Sequence, residues 1–383
     1  MGANHSAIHD ETGATLVVDL DAVAENYDTL RQKSHGAETG ATVKADAYGL
    51  GLEHVARTLS ASECRTFFVA TAAEGLALRH ILPAAEIIVL NGPSRESVKL
   101  ILDASLSPAL NSLDQIDLWR HSGGAGDKAA AAYLHFDTGM NRLGLGADEA
   151  ETLFADPSRL HDISISSVMS HLACADTPDN PMNAAQLTAF RDLRSRLEGV
   201  IGPVRASLAN TPGVFLGPDY HFDLVRPGAA LFGLAPQIGA RNPMRQTIEI
   251  YAKILQVRSV DTHMTVGYGA AQRVERPSRI ATVGAGYAEG YPRAAVSRIG
   301  ETMHAFIAGH RVPLFGRVSM DLITLDVSDI PEALAIPGQE VELLGPHVTP
   351  DSLAASAGTI GYEVIARLGN RLHRVYRGGV TRR

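Results

Sequence analysis

Cysteine is scarce in this chain: Cys64 and Cys174 are the only two among 383 residues. Two thiols cannot form a disulfide framework, and such sparing use suits a reducing compartment. A basic excess is also missing, since 34 lysines and arginines face 42 acids for a net charge of −8. That balance argues against nucleic acid or an anionic membrane as the main partner. No apolar run reaches the length needed to span a bilayer. Residues 1–14 lack the basic start and apolar centre of a secretory signal, so the expected location is the cytoplasm. The opening Met1-Gly2-Ala3-Asn4-His5-Ser6 does fit the short myristoylation pattern, but is read as a mobile tail. The histidines show no metal-ligand spacing, so no metal is expected.

What is present is a cadence. A separate apolar strand, Leu16–Leu20, comes first; the cadence itself begins after it, with short apolar runs at Ala41–Lys44, Phe67–Thr71, Ile87–Asn91 and Leu106–Asn111. They continue at Tyr133–Asp137, Ser167–Leu172, Arg205–Asn210 and Leu224–Gly233. Segments of helical period lie between most of them: Asp21–Gln32, with Asp21 placed to cap it, then Glu53–Leu59, Ala73–His80, Arg95–Leu102, Leu113–His121, Ala147–Phe154 and Asn183–Glu198. Strands alternating with helices imply a parallel sheet, and about eight such units predict a closed (β/α)8 barrel of the TIM type. No Gly-x-Gly-x-x-Gly turn follows the first strand of the cadence, which disfavours an open dinucleotide-binding sheet. Around Ala235–Pro243 the composition turns to Pro, Gly and Asn, and the cadence stops. Residues 1–240 are therefore read as the barrel and 241–383 as a second, mostly β domain.

Polar residues cluster after the barrel strands, where barrels of this type carry their working groups. Lys44 and Tyr48 follow the first strand, and Asp137-Thr138-Gly139-Met140-Asn141-Arg142-Leu143-Gly144 the fifth. His171 follows the sixth and Asn210-Thr211 the seventh, while Arg226-Pro227-Gly228-Ala229 belongs to the eighth. Taken singly, each has a bland reading: a snorkelling lysine, a core histidine, a solvated arginine, a turn. Together they would converge on one rim. A lysine at a buried strand end is desolvated, which lowers its pKa and makes it a usable nucleophile or base.

These segments, in this order, resemble the alanine racemase family from about Leu16 to Arg374. The signature is Val43-Lys44-Ala45-Asp46-Ala47-Tyr48-Gly49, in which only Asp46 departs from the family's asparagine. Further matches are Val266-Gly267-Tyr268-Gly269, Gly284-Ala285-Gly286-Tyr287, Gly316-Arg317-Val318-Ser319-Met320-Asp321 and Gly361-Tyr362-Glu363-Val364. The resemblance implies pyridoxal 5'-phosphate as cofactor and interconversion of L- and D-alanine, supplying D-alanine for peptidoglycan. It implies that Lys44 holds the cofactor and serves as one base, with Tyr268 as the other. The implied phosphate donors are Tyr48, Thr211, Gly228, Ala229 and Tyr362, and Asn210 is a further cofactor neighbour. Arg226 would sit beside the pyridine nitrogen, with His171 between it and Tyr268. Arg142 and Met320 would meet substrate, and Tyr287 would narrow the entrance. The family layout also implies that the first strand, near residues 14–20, joins the β domain. A head-to-tail homodimer would share its active sites between chains.

One position departs with consequence. Many family members carry a carbamylated lysine that orients the arginine of the Asp-Thr-Gly-Met loop; here that position is His135, so Arg142 must be supported differently. Two rival activities are expected to be separable by assay: racemisation of serine or a broader range of amino acids, and decarboxylation by a barrel enzyme using the same cofactor. The decarboxylases usually set an acid at the pyridine nitrogen, where this chain offers Arg226.

Overall fold

A computed structural model describes residues 13–124, 131–295 and 303–379; the myristoylation-like hexapeptide lies outside them. The chain divides into two compact units, one formed by Val23–Arg245 and the other by the segment ending at Ala22 together with Gln246–Gly378.

The chain enters through β1 (Ala14–Asp19) and α1 (Leu20–Lys33). The helix is capped by Asp19, whose Oδ1 accepts the Ala22 N–H at 2.8 Å, and not by the expected Asp21. A cap side chain accepts the N–H two or three residues ahead of it, which suits Asp19 just before the helix, whereas Asp21 already lies in its first turn.

In the first unit, β2 (Ala41–Thr42), β3 (Thr66–Val69), β4 (Glu86–Val89), β5 (Ser107–Leu110), β6 (Ala132–His135), β7 (Ile165–Met169) and β8 (Arg205–Ser207) make one parallel sheet in sequence order. Between them run α2 (Leu52–Ala61), α3 (Ala72–Ile81), α4 (Val98–Asp103), α5 (Leu113–Trp119), α6 (Ala147–Ala155) and α7 (Pro181–Ile201). The last strand, β9 (Leu224–Val225), is far shorter than the expected run to Gly233. Pro227 has no N–H to continue a ladder, and a 3-10 turn, Ala229–Phe232, follows at once. That short strand nevertheless closes the sheet. Asp223 and Arg226 donate their N–H groups to Ala206 and Ala209, while Gly40 and Thr42 donate theirs to Val225 and Pro227, all at 2.8–3.0 Å. Inside, Phe68, Ile88, Ala109, Tyr133, Met169 and Leu224 pack as one buried cluster. Burying each of the larger of these side chains contributes about 1.5–3 kcal/mol.

In the second unit, β10 (Ile248–Val260) is the spine. It pairs with β1, with β11 (Ser278–Val283) and with β15 (Glu340–Leu344), all antiparallel. The sheet is extended by β12 (His304–Ile307), β13 (His310–Pro313), β14 (Ile323–Asp326) and β16 (His373–Arg377), the last running parallel to β1. Two helices, α8 (Pro350–Ala357) and α9 (Gly361–Ala366), interrupt this β-rich order.

Candidate active site

Because the barrel strands are parallel and in sequence order, every loop that follows one opens at the same end. The residues after β2, β6, β7, β8 and β9 therefore gather at one mouth.

Val43 ends the β2 run, its N–H bonded to the Phe68 carbonyl. Lys44 comes next and is half-buried. The chain then makes a left-handed turn: Ala45, Asp46, Ala47 and Tyr48 all have φ between 53° and 57°. Left-handed backbone costs about 1–2 kcal/mol per non-glycine residue, and runs of it are held only by their surroundings. Those surroundings are visible here. Glu74 accepts the Ala45 N–H at 2.8 Å and the Ala70 N–H at 2.7 Å. Asp46 accepts the Leu52 N–H at 2.7 Å, at the start of α2, so the aspartate serves as an acceptor for that helix. The Tyr48 ring packs on Phe232 at 4.8 Å between centroids. Burial, reinforced by the positive charge of Arg142 and opposed by Glu74, lowers the Lys44 amine below its ordinary value.

The turn delivers the Tyr48 hydroxyl to the far side of the mouth. A Cβ on Gly228 would stand 2.5 Å from that oxygen and 3.2 Å from Thr42 Cβ, so only glycine lets the two approach. The Thr211 hydroxyl accepts the Gly228 N–H at 2.8 Å, and Ala229 opens the 3-10 turn beside it. Tyr48, Thr211, Gly228 and Ala229 thus form one cluster of hydroxyls and backbone N–H groups.

Arg226 is almost entirely buried. Its guanidinium donates to Ser207 Oγ and to the Ser170 carbonyl, each at 2.6 Å, and among the described residues it has no acidic partner. Burial pulls it down to about 10, still a cation at neutral pH. His171 is half-buried, and its Nε2 lies 3.3 Å from Asn210 Nδ2, which also donates to the Leu172 carbonyl at 3.1 Å. Asn210 Oδ1 in turn accepts the Gly213 N–H. Desolvation, then the charges of Arg226 and Arg142, push His171 well below its usual range, so it is neutral. Arg142 stands exposed on the loop after β6, whose shape is set by Asp137 accepting the N–H groups of Gly139, Met140 and Asn141 at 2.7–2.8 Å.

The remaining sequence-predicted residues lie in the β unit. Tyr268, Tyr287 and Met320 are carried on adjoining loops: the Tyr287 and Ala288 N–H groups donate to the Ser319 and Met320 carbonyls at 3.0 Å. Gly269 lies against the Arg317 guanidinium, where a Cβ would meet Nη1 at 3.3 Å. Tyr268 is 70 % exposed, Met320 51 % and Tyr287 42 %. Tyr362 is half-buried near the start of α9.

Sequence reasoning missed the groups that hold the site: Glu74 under the turn, Ser170 and Ser207 under Arg226, and Asn111 with Gln115 beside His135. The one legible hint was Asn111 and Gln115, amides four apart just past a strand end. Among the described residues, no group of three or more His, Cys, Asp or Glu side chains could hold a metal ion. No helix there is long and apolar enough to cross a membrane.

The coordinates define a barrel protein whose working groups gather at the carboxyl ends of parallel strands, joined to a β unit with its own cluster of exposed aromatic loops. Comparison with known proteins is specific. Residues 18–236 match the model of the alanine racemase N-terminal domain, and residues 247–376 that of the C-terminal domain. An alanine racemase of Rhodospirillum rubrum is 50% identical over 373 residues, covering 97% of each chain. A biosynthetic alanine racemase of Agrobacterium fabrum is 43% identical, over 97% of this chain and 96% of its own. The crystal structure of the Bartonella henselae alanine racemase, with covalently bound pyridoxal phosphate, superposes with a TM-score of 0.89 at 35% identity, over 95% of this chain and 99% of that one. The chain belongs to the alanine racemase family.

Proposed function

We propose that this protein interconverts L- and D-alanine with pyridoxal 5'-phosphate held at the barrel mouth. The observation that carries the reading is Arg226: a buried cation, fastened by two short hydrogen bonds and, among the described residues, paired with no carboxylate. When bound, the cofactor supplies the electron sink that makes removal of an α-proton feasible.

The residues suit that group. The cradle where a Gly228 side chain would collide with Tyr48 offers two hydroxyls and the N–H groups at the start of a turn, a fitting set for a phosphate. Lys44, with its lowered pKa, is the amine that holds the cofactor. Arg226 would stand beside the pyridine nitrogen: a guanidinium is donor-only and gives up no proton readily, so it would leave that nitrogen unprotonated. A weaker sink favours prompt return of the proton over side reactions. An acid there would favour the decarboxylase alternative.

Two faces of the α-carbon need two bases. Lys44 moves the proton on one face and Tyr268 on the other. Free tyrosine has a pKa near 10, so its phenol needs a neighbour that favours proton loss; the neutral His171, linked electrostatically to Arg226, is suited to that. Arg142 binds the substrate carboxylate, Met320 packs against substrate and Tyr287 narrows the entrance. Asn210 and Tyr362 complete the cofactor shell. Because the chain resembles a family whose head-to-tail dimer shares active sites, we assign Lys44 and Tyr268 of one site to two chains of a homodimer. Supply of D-alanine to peptidoglycan in the cytoplasm is the role this activity fits, and the relative named biosynthetic supports it.

The test is direct. Purified protein with L-alanine should lose optical rotation without releasing carbon dioxide. Gas release would favour the decarboxylase, and comparable turnover of L-serine a broader racemase.

A further inference from the structure

The tautomer of His135 can be deduced from its neighbours. Gln115 Oε1 accepts the Asn111 backbone N–H at 2.8 Å, and Gln115 Nε2 donates to the Asn91 carbonyl at 2.9 Å, so the orientation of that amide is unambiguous. Asn111 Nδ2 then faces three acceptors: Gln115 Oε1 at 3.1 Å, the Leu90 carbonyl at 3.1 Å and the Ala109 carbonyl at 3.0 Å. Turning the Asn111 amide over would set its oxygen against all three. Its Oδ1 must therefore face His135, 2.7 Å from Nδ1. An amide oxygen cannot donate, so His135 Nδ1 carries the proton.

In the neutral ring, the remaining nitrogen, Nε2, is then a lone pair. Burial and the charges of Arg226 and Arg142, only partly opposed by Asp137, keep the ring neutral. The ring edge away from Asn111 faces the loop that carries Arg142: a Cβ on Gly144, where φ is +108°, would lie 3.2 Å from His135 Cδ2. A guanidinium has five N–H donors and no acceptor.

We infer that His135 is a positioning residue, locked by Gln115 and Asn111 so that its Nε2 lone pair orients the Arg142 guanidinium toward a substrate carboxylate. This rests on the racemase reading for the identity of the substrate, though not for the tautomer. The arrangement supplies a neutral acceptor from side chains alone.

The holoenzyme labelled with 15N-histidine, with His135→Gln to assign the signal, should show His135 protonated on Nδ1 and bare on Nε2. Asn111→Ala should abolish that single tautomer. Glutamine keeps an acceptor near the Nε2 position, whereas phenylalanine fills the space without one. Propionate, which is alanine without its amine, probes the carboxylate subsite by calorimetry independently of turnover. His135→Phe should weaken propionate about tenfold and raise KM for alanine about tenfold with a smaller change in kcat, as expected for a lost charge-assisted hydrogen bond. His135→Gln should return both to within about threefold of the unaltered protein. A proton on Nε2, or equal propionate affinities in the Gln and Phe variants, would overturn the inference. If the unaltered protein left alanine unchanged, the racemase reading would fail, while the tautomer and the propionate affinities would still decide this one.

Discussion

Neutral histidines close to two guanidinium groups give the barrel mouth a measurable signature at the scale of single residues. Burial pushes His135 from its ordinary 6.5 down to about 3. Between those values the unfolded chain holds a proton there and the native chain does not. Its contribution to stability is thus complete above pH 6.5 and is lost as pH falls toward 3. The slope from one such group is at most about 1.4 kcal/mol per pH unit. Urea unfolding at pH 4, 5 and 6 should accordingly show a shallower pH dependence for His135→Gln than for the unaltered protein, by up to that amount. Identical slopes would mean that His135 titrates normally. Lys44 gives the second residue-scale prediction. The isolated protein should be yellow, and borohydride should bleach it while fixing the cofactor on Lys44, read by peptide mass. A label on any other lysine would remove Lys44 from its role.

At the scale of elements, the most exacting part is the left-handed turn after β2 and its approach to Gly228. Adding one methyl at Gly228 pushes into the Tyr48 hydroxyl, whose ring is held against Phe232. Overpacking of this kind costs about 1–3 kcal/mol. Gly228→Ala should lower the melting temperature and, more sharply, weaken retention of pyridoxal phosphate about tenfold or more by equilibrium dialysis. Unchanged retention would show that this cradle does not receive the phosphate.

The same elements show what could be read from the chain beforehand. Buried parallel strands appear in sequence as short apolar runs, and Thr66–Val69, buried at every residue, is a clear example. The long spine Ile248–Val260 lies within the stretch read as mostly β. The mouth residues were legible because their strand-end positions follow from the cadence itself. Other features depend on contacts distant in sequence. Nothing in Ala45-Asp46-Ala47-Tyr48 announces positive φ; Glu74, Leu52 and Phe232 impose it. Ser170 and Ser207 look like ordinary strand serines until the barrel brings both to Arg226. The helices Pro350–Ala357 and Gly361–Ala366 are too short for their periodicity to stand out in a β-rich stretch.

At the scale of the whole molecule, the claim at risk is that each active site is shared between two chains. Tyr268 sits on an exposed loop of the β unit and Lys44 at the barrel mouth. Lys44→Ala and Tyr268→Ala homodimers should each racemise alanine at a small fraction of the normal rate. Unfolding the two variants together and refolding them lets the chains pair at random. About half of the dimers are then mixed. In a mixed dimer with shared sites, one site lacks both groups while the other has Lys44 from one chain and Tyr268 from its partner. Activity should therefore return to about a quarter of the unaltered protein's. If Lys44 and Tyr268 of one site came from the same chain, every site in the mixture would lack one of them, and refolding would restore nothing. Mixed dimers can be verified by tagging one variant and recovering both chains on the tag. No recovery of activity from such verified mixed dimers would rule out the shared site, and with it the assignment of Tyr268 to its partner's substrate.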